Sequence, residues 1–469
     1  MVDAFGVMIL RLKINNMEQS TALPPLEPLS QSERISILDS LRGIALLGIL
    51  LMNIPFFAYP VIQAYNPLIA NEMGTINFKV WYFVEGLEGT QRALFSMLFG
   101  CGVLVFTTRL EKRVSGTMPA ELFLRRQLWL LVFGLFNAFI LLWSGDILYH
   151  YAILGIVLFA FRRMKPSHLM IAATICLVFQ AARENKDLYD DKKMIEKGEL
   201  VAAFDTTKTK LTDKQRGELE AMNGFKNNQK LEKKQKKVKQ AVDAVRGTYA
   251  ELYEHHSNES VRMETEFLYF NPWDILIFMF LGLAFFKMGL IQGDHPLKTY
   301  LMLAVVGLTV GLLLTYIRLK PLIDLKFNFF DYVKNVSFTL YEIPRTFKSI
   351  GLFGLIMVLY KTGWFKWLFA IVRPVGQMAF TNYLMQSLIC GIIFYGIGFG
   401  LYGQLQRYEL YYVVGFIWIF QIVASNIWLR YYRFGPMEWL WRSFTYWKRQ
   451  PFKKGNPVEP VIELAQSGT

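Results

Sequence analysis

The sequence is divided into about ten apolar blocks, and each is near the roughly 20 residues that a helix needs to cross a bilayer. No soluble domain would bury so many such blocks side by side. Charged residues make up 19% of the chain and hydrophobic residues 53%, whereas soluble domains carry about 25% charged residues. These features exclude an ordinary cytosolic enzyme, a secreted disulfide scaffold and a disordered chain. They predict an all-α fold: a polytopic membrane helical bundle of about ten transmembrane helices with one charged helical extramembrane insert.

The apolar blocks fall into two groups, a first transmembrane half at 35–182 and a second at 269–432. Residues 183–268 between them are predicted to be the extracytoplasmic insert. Residues 1–34 are predicted to form a cytoplasmic tail, and residues 433–469 a basic, Trp-rich cytoplasmic tail. The predicted spans are close to residues 36–58, 92–108, 128–143, 147–161, 168–182, 272–291, 299–317, 345–360, 376–400 and 409–430.

The insert is rich in charge but nearly balanced, with 18 Lys and Arg against 17 Asp and Glu between residues 183 and 266. Leu231, Val238, Val242 and Val245 recur at helical spacing, which predicts an amphipathic helix. Counting spans from a cytoplasmic amino terminus places the insert outside the cell. Its lysines do not oppose that placement, because long loops are translocated largely regardless of charge.

The whole chain has a formal charge of +14, and much of the surplus lies in short loops beside apolar blocks. This distribution is typical of cytoplasmic loops and predicts a multi-pass protein of the bacterial inner membrane with both termini in the cytoplasm. The lipid bilayer is therefore the expected partner, and nucleic acid is not. The three cysteines all lie in apolar blocks without a ligand spacing, so no metal site is expected.

Polar residues inside the spans are the candidate functional residues, because such side chains usually face protein or water. At 100° per residue, Asp39, Arg42 and Asn53 share one face of the first span, and Asp39 and Arg42 can pair at i, i+3. This face is either an ion pair at a helix end with a packing amide, or part of a polar path. Arg126 and Asn137 repeat the eleven-residue spacing of Arg42 and Asn53, a weak sign of the internal repeats found in transporters.

The turn SGDILYHY places Asp146 one helical turn before His150. A carboxylate in this position can fix the tautomer of an imidazole, so the pair is a candidate general base near the outer face. Tyr149 could donate a hydrogen bond to an oxyanion or a sugar hydroxyl. The alternative is a helix N-cap followed by an interfacial histidine.

Two further polar pairs occur at i, i+4. Arg92 and Ser96 enter a glycine-containing helix at its predicted outer end, which suits an anion. Asn382 and Gln386 make a late span unusually polar, which suggests that they line a cavity. Hydrogen bonding between helices is the alternative explanation for the second pair.

Several segments resemble the YeiB-like family, bacterial inner-membrane proteins whose carboxyl half is a domain of unknown function. The resemblance covers both membrane halves and leaves out the insert. It rests on the segments ISILDSLRGIALLGILLMNI, QRALFSMLFGCG, RRQLWLLVFGLFNAFILLWSGDILYHYAILGIVL, GQMAFTNYLMQSLICGIIFYGIGFGLYGQL and RFGPMEWLWRSFTY.

The family in turn resembles a larger group of transmembrane acyltransferases, which includes heparan-glucosaminide acetyltransferase and membrane sugar O-acyltransferases. The shared piece is LDSLRG. The resemblance implies transfer of an acyl group from cytoplasmic acyl-CoA to a sugar or similar acceptor on the far side. In sugar O-acyltransferases a histidine stands where this chain has Asn53, and many YeiB-like proteins have one in place of Asn137. Both substitutions remove an obvious base and leave His150 as the candidate.

The first hypothesis is therefore an acyl-CoA-dependent acyltransferase with acyl-CoA as co-substrate, no permanently bound cofactor, and an envelope glycan or lipid as acceptor. Arg42 and Arg126, with Asp39 beside them, would hold the CoA phosphates, and Asp146 with His150 would be catalytic. The substrate path would be lined by Asn53, Arg92, Ser96, Asn137, Tyr149, Asn382 and Gln386.

Two other hypotheses use the same residues differently. The chain could be a transporter or flippase for a small anionic or lipid-linked substrate, without covalent chemistry. It could also be a non-catalytic membrane component whose insert binds an envelope partner. The sequence is compatible with a homodimer.

Overall fold

A computed structural model describes residues 36–114, 116–204 and 210–454, and this part of the chain is almost entirely helical. It contains no β-strand, only an isolated bridge between Tyr432 and Lys453. The predicted all-α class is confirmed. The predicted amino-terminal tail, residues 1–34, lies outside the described residues.

Nineteen α-helices are numbered here in chain order over the described ranges, with one π-helical turn, Met263–Phe267, between α10 and α11. They are α1 Ser36–Ala58, α2 Val61–Tyr65, α3 Ile76–Leu87, α4 Thr90–Arg113, α5 Met118–Phe139, α6 Leu148–Phe161, α7 Pro166–Ala202, α8 Asp213–Asn228, α9 Leu231–Arg246, α10 Tyr249–Arg262, α11 Leu268–Phe270, α12 Trp273–Lys287, α13 Leu297–Asp324, α14 Phe329–Asn335, α15 Glu342–Thr362, α16 Lys366–Gln377, α17 Ala379–Phe394, α18 Leu410–Tyr431 and α19 Pro436–Tyr446.

The protein is a multi-pass membrane protein by the length and apolar composition of its helices. Within the described part of the chain, six segments satisfy both criteria: Ser36–Ala58, Ile76–Arg113, Met118–Phe139, Leu297–Asp324, Glu342–Thr362 and Leu410–Tyr431. A seventh span results if Tyr249–Phe270 and Trp273–Lys287 are counted together, although they are bent by 65° at their junction.

The expected number of ten spans is not confirmed, because three of the predicted blocks do not form a helix that is both long enough and apolar enough to cross a bilayer. The blocks at 147–161 and 376–400 form α6 and α17, which have only 14 and 16 residues where a bilayer requires about 20. The block at 168–182 is the first part of α7, a 37-residue helix that continues into the charged insert.

Glycines allow α4 and α12 to pack with their backbones in close contact. A Cβ at Gly100 would lie 2.3 Å from the Met279 carbonyl oxygen, and a Cβ at Gly282 would lie 1.9 Å from that of Met97. Small residues at such interfaces permit the close approach on which helix association in membranes depends.

The insert packs against one end of the bundle, which we call the insert side. Lys234 Nζ in α9 donates to the Phe327 carbonyl oxygen at 3.1 Å, and Ser260 Oγ in α10 donates to that of Ala138, at the end of α5, at 3.2 Å. The predicted amphipathic helix is α9. A small apolar core joins α7 and α8 to α14 through Leu188, Ile195, Met222, Phe330 and Val333.

Substituting Gly282→Ala should lower the thermal unfolding midpoint of the purified protein in detergent. The added methyl group overlaps the α4 backbone, and overpacking of this kind costs about 1–3 kcal/mol. Gly415→Ala in α18 is the matched control, because nothing lies within 4 Å of a Cβ there. An equal decrease in both variants would argue against the close α4–α12 contact.

Candidate functional site

A partly open cavity of about 290 Å³ lies between α1, α4, α5, α6, α16, α17 and α19. Its lining follows α4 from Phe95 to Arg113, a distance of roughly 27 Å at 1.5 Å per residue. Arg113 is exposed at one end. Tyr151 and Tyr383 are buried at the other, which we call the inner end.

Arginines dominate the exposed part of this cavity, which we call the arginine end. Its two carboxylates already have partners. Asp39 accepts from Arg42 Nη1 at 3.2 Å, as the sequence predicted, and Glu438 accepts from the Phe380 backbone N–H at 2.7 Å. Five arginines and two carboxylates give the cavity lining a formal charge of +3. The arginines are Arg42, Arg109, Arg113, Arg126 and Arg442.

Arg126 differs from Arg42 in having no carboxylate partner in the described structure. Its guanidinium carbon lies 3.6 Å from the ring centroid of Trp441 and 4.9 Å from that of Phe106. Stacking on rings leaves the N–H groups at the guanidinium edge available for hydrogen bonding. The cavity therefore provides a half-buried cation that suits an anionic group of a ligand.

Tyrosine hydroxyls form the polar part of the inner end. Tyr151 Oη is 2.6 Å from Ser96 Oγ, so Ser96 lies behind the cavity wall and supports Tyr151. Tyr383 Oη donates to Asp146 Oδ1 at 3.3 Å and accepts from the Ile147 backbone N–H at 3.2 Å.

The carboxylate of Asp146 is buried in the turn before α6. Asn137 Nδ2 donates to its Oδ1 at 2.7 Å, and the Tyr149 backbone N–H donates to its Oδ2 at 2.9 Å. Asp146 therefore caps α6 and is one hydrogen bond away from the cavity, through Tyr383. The tyrosine was missed by sequence reasoning, although it lies between the two polar residues that were singled out in α17.

The expected pairing of Asp146 with His150 is not formed. The His150 ring points to the end of α10, where its Nε2 is 3.2 Å from the Met263 carbonyl oxygen and its Nδ1 is 3.5 Å from Glu264 Oε2. His150 is not part of the cavity lining. The hydrogen bonds of Asp146 with its own turn take the place of the expected side-chain contact.

Arg92 does not face the cavity as an anion-binding residue. Its guanidinium pairs with Asp274 of α12 at 2.9 Å, and the same carboxylate pairs with Arg345 of α15 at 2.6 Å. Arg345, which is 1% exposed, also pairs with Glu342 at 3.1 Å. The sequence analysis did not identify Asp274, Glu342 and Arg345 as a charged cluster. The one feature of the sequence that marks them is their position near the start of apolar blocks.

Asn382 and Gln386 join two helices and do not line the cavity. Asn382 Nδ2 donates to Ser425 Oγ at 2.9 Å, and Gln386 Nε2 donates to Gln421 Oε1 at 3.0 Å, both in α18. The second explanation given for this pair, hydrogen bonding between helices, is therefore the one that the structure shows. Asn53, near the end of α1, is also outside the cavity lining.

Candidate metal ligands do not cluster in the part of the chain that the structure describes, where no group of three or more His, Cys, Asp or Glu could hold a metal ion. Cys101, Cys176 and Cys390 are buried free thiols.

The family and the relatives that this chain matches are described as uncharacterized or of unknown function. Residues 285–448, which include Tyr383 and Trp441, match the family model described as a protein of unknown function, DUF418. The uncharacterized protein YxaH of Bacillus subtilis is 30% identical over 465 residues, 92% of this chain and 99% of that protein. The uncharacterized protein YeiB of Escherichia coli is 28% identical over 424 residues, 88% of this chain and 96% of that protein. No solved structure matches the chain.

Replacing Asp274→Asn should destabilise the protein strongly. It leaves Arg92 without a carboxylate and Arg345 with only Glu342, and breaking a buried ion pair costs about 3–5 kcal/mol. The measurement is the thermal unfolding midpoint in detergent. Asp324→Asn, which breaks an exposed pair with Lys320, is the matched control and should leave the midpoint nearly unchanged. Equal shifts would contradict a central role for Asp274.

Proposed function

The chain belongs to the YeiB-like family of DUF418 membrane proteins, and on that premise we propose that it is a transmembrane acyltransferase. It moves an acyl group from cytoplasmic acyl-CoA to a hydroxyl-bearing acceptor, a sugar or lipid of the cell envelope, on the far side of the membrane. Acyl-CoA is a co-substrate, and no permanently bound cofactor is needed.

The observation that carries this proposal is the cavity, which combines an exposed cationic end with a buried end containing tyrosine hydroxyls. A CoA ester has the matching asymmetry, with phosphates at one end and an uncharged thioester at the end of a long arm. Because the lining reaches roughly 27 Å along α4, a donor held at the arginine end can extend its arm toward Tyr151 and Tyr383.

Arg126 and Arg42 have different roles in donor binding. Arg126 provides unpaired N–H groups for a phosphate, and its stacking on Trp441 sets the plane of the guanidinium. Arg42 is already paired with Asp39, so it adds positive charge to the site but binds a phosphate less strongly than Arg126 does.

The chemistry belongs to the inner end. The acceptor oxygen forms a bond to the acyl carbon, the carbon–sulfur bond to CoA breaks, and the hydroxyl proton ends on the CoA sulfur. Tyr383 can take the hydroxyl proton while it passes its own phenolic proton to Asp146, and the reverse transfer then delivers a proton to the departing sulfur. The carboxylate thus acts as a base through the tyrosine. This arrangement assigns to Tyr383 and Asp146 the role expected for His150.

The arginine end is the cytoplasmic end in this proposal, and the insert lies outside. Arg126 and Ala138 are separated by about 18 Å along α5, and Ala138 contacts the insert. A surplus of Lys and Arg is typical of the cytoplasmic side. This orientation gives a protein of the bacterial inner membrane with both termini in the cytoplasm and the bilayer as its permanent partner.

Acetyl-CoA should bind the purified protein in detergent, and Arg126→Ala should raise the Kd at least about tenfold. The lost charge-assisted hydrogen bonds contribute about 1.5–3 kcal/mol, and 1.4 kcal/mol is a factor of ten. Arg125→Ala is the matched control, because Arg125 pairs with Glu121 and is outside the cavity lining. Equilibrium dialysis or calorimetry gives both constants.

Failure of a well-folded sample to bind acetyl-CoA at millimolar concentration would contradict the acyltransferase. Anion flux in proteoliposomes without acyl-CoA consumption would instead identify a transporter that uses the same arginines. A weaker affinity in both arginine variants would indicate an unspecific effect of surface charge.

Tyr383→Phe should reduce the release of free thiol from acetyl-CoA, with water as the acceptor, by about 10²–10⁴-fold, the usual contribution of a general base. The Kd for acetyl-CoA should not change, because Tyr383 is at the opposite end from the arginines. Tyr395→Phe removes a buried hydroxyl of the same region that bonds to the Leu142 carbonyl oxygen outside the cavity, so it is the control. Equal thiol release from Tyr383→Phe and the unmodified protein would rule out the relay.

A further inference from the structure

A second buried pair of titratable side chains lies outside the cavity, between the start of α6 and the π-helical turn that follows α10. His150 Nδ1 is 3.5 Å from Glu264 Oε2, and each side chain is only 4% exposed. Turns of this π-helical kind occur often at functional sites. The proposed acyltransferase chemistry uses neither residue.

The tautomer of His150 follows from its second contact. Nε2 is 3.2 Å from the Met263 carbonyl oxygen, and a carbonyl oxygen can only accept a hydrogen bond, so Nε2 carries a proton. In a neutral imidazole Nδ1 then has a lone pair and no hydrogen. That lone pair faces a carboxylate oxygen, which is also an acceptor, and the two lone pairs repel each other unless one of the two atoms carries a proton.

The position of this proton follows from the surroundings of Glu264. In the described structure neither carboxylate oxygen accepts a hydrogen bond from any donor, and Nδ1 has no hydrogen-bond partner either, so the 3.5 Å contact with Oε2 is its approach to Glu264. An ionised carboxylate buried without donors is far more costly than a neutral acid that donates to a nitrogen. The proton therefore belongs to Glu264, and Nδ1, 3.5 Å from Oε2, is placed to accept it.

We propose that His150 and Glu264 form a proton-binding dyad that holds one exchangeable proton on the insert side of the membrane domain. The ligand of this site is the proton itself, and the site does not depend on what occupies the arginine-lined cavity. Thr265 and Glu266 in the same turn are exposed, so the dyad is separated from the surface by the thickness of one helix.

Other ionisable groups around the dyad do not provide a competing partner. Arg92 and Asp274 face His150 from α4 and α12, but they are paired with each other. Asp146 lies on the other side of the turn before α6, where Asn137 and Tyr149 satisfy it. The phenol of Tyr149 also interacts with Glu264, and Tyr149 in turn interacts with Tyr269.

Infrared difference spectroscopy of the purified protein tests the dyad without any substrate. The spectrum of the unmodified protein minus that of Glu264→Gln should show the carbonyl stretch of one protonated carboxylic acid, shifted to lower frequency in D₂O. Glu266→Gln is the matched control from the same turn. It should remove an ionised carboxylate band and leave the acid band in place.

His150→Phe provides an independent test, because it keeps Glu264 and removes its acceptor. The acid band should persist and move to higher frequency, as expected for a carboxylic acid that loses a strong hydrogen bond. Loss of a carboxylate band in place of an acid band in Glu264→Gln would overturn the proposal. An acid band that does not move in His150→Phe would overturn the shared proton. Neither result bears on acetyl-CoA binding, so the two proposals can fail separately.

Discussion

The buried carboxylate of Asp274 neutralises two arginines, of which Arg345 is fully buried and Arg92 is largely buried. Arg92 and Arg345 come from α4 and α15, and the carboxylate that joins them comes from α12. Three helices distant in sequence are thereby held in one arrangement, because separating any of them would leave a charge unpaired in an apolar interior. The glycines of α4 and α12 bring the backbones close enough for this contact.

The opposite arrangement prevails at the arginine end of the cavity. There the basic residues outnumber the carboxylates, and Arg126 is stacked on Trp441 with no acid beside it among the residues that the structure describes. A half-buried cation without an acidic partner in the described part of the chain is the feature on which the proposed binding of an anion rests. The fold thus neutralises positive charge where helices are joined and places a surplus of arginines along the cavity.

Local sequence spacing predicted the contacts that lie within one helix. Asp39 and Arg42 are three residues apart and form the expected pair. Arg42 and Arg126, each eleven residues before an asparagine, both line the cavity. Spacing did not identify the partners of Arg92, Asn382 and Gln386, which lie in α12 and α18. Periodicity specifies the face of a helix on which a residue lies, but not the helix that packs against that face. His150 was paired with Asp146 for the same reason, since Glu264 is more than a hundred residues away.

The sequence by itself determined that this is an all-helical, multi-pass membrane protein, because the length and apolarity of a segment are local properties that decide its place in a bilayer. It also determined the presence of a charged helical insert and the pair at the start of α1. Only the tertiary structure decided which polar residues meet a cavity, which neutralise one another and which buried titratable groups lie side by side. Those outcomes depend on how the helices pack, because rotating a helix about its axis changes which of its residues face the cavity and which face a neighbouring helix.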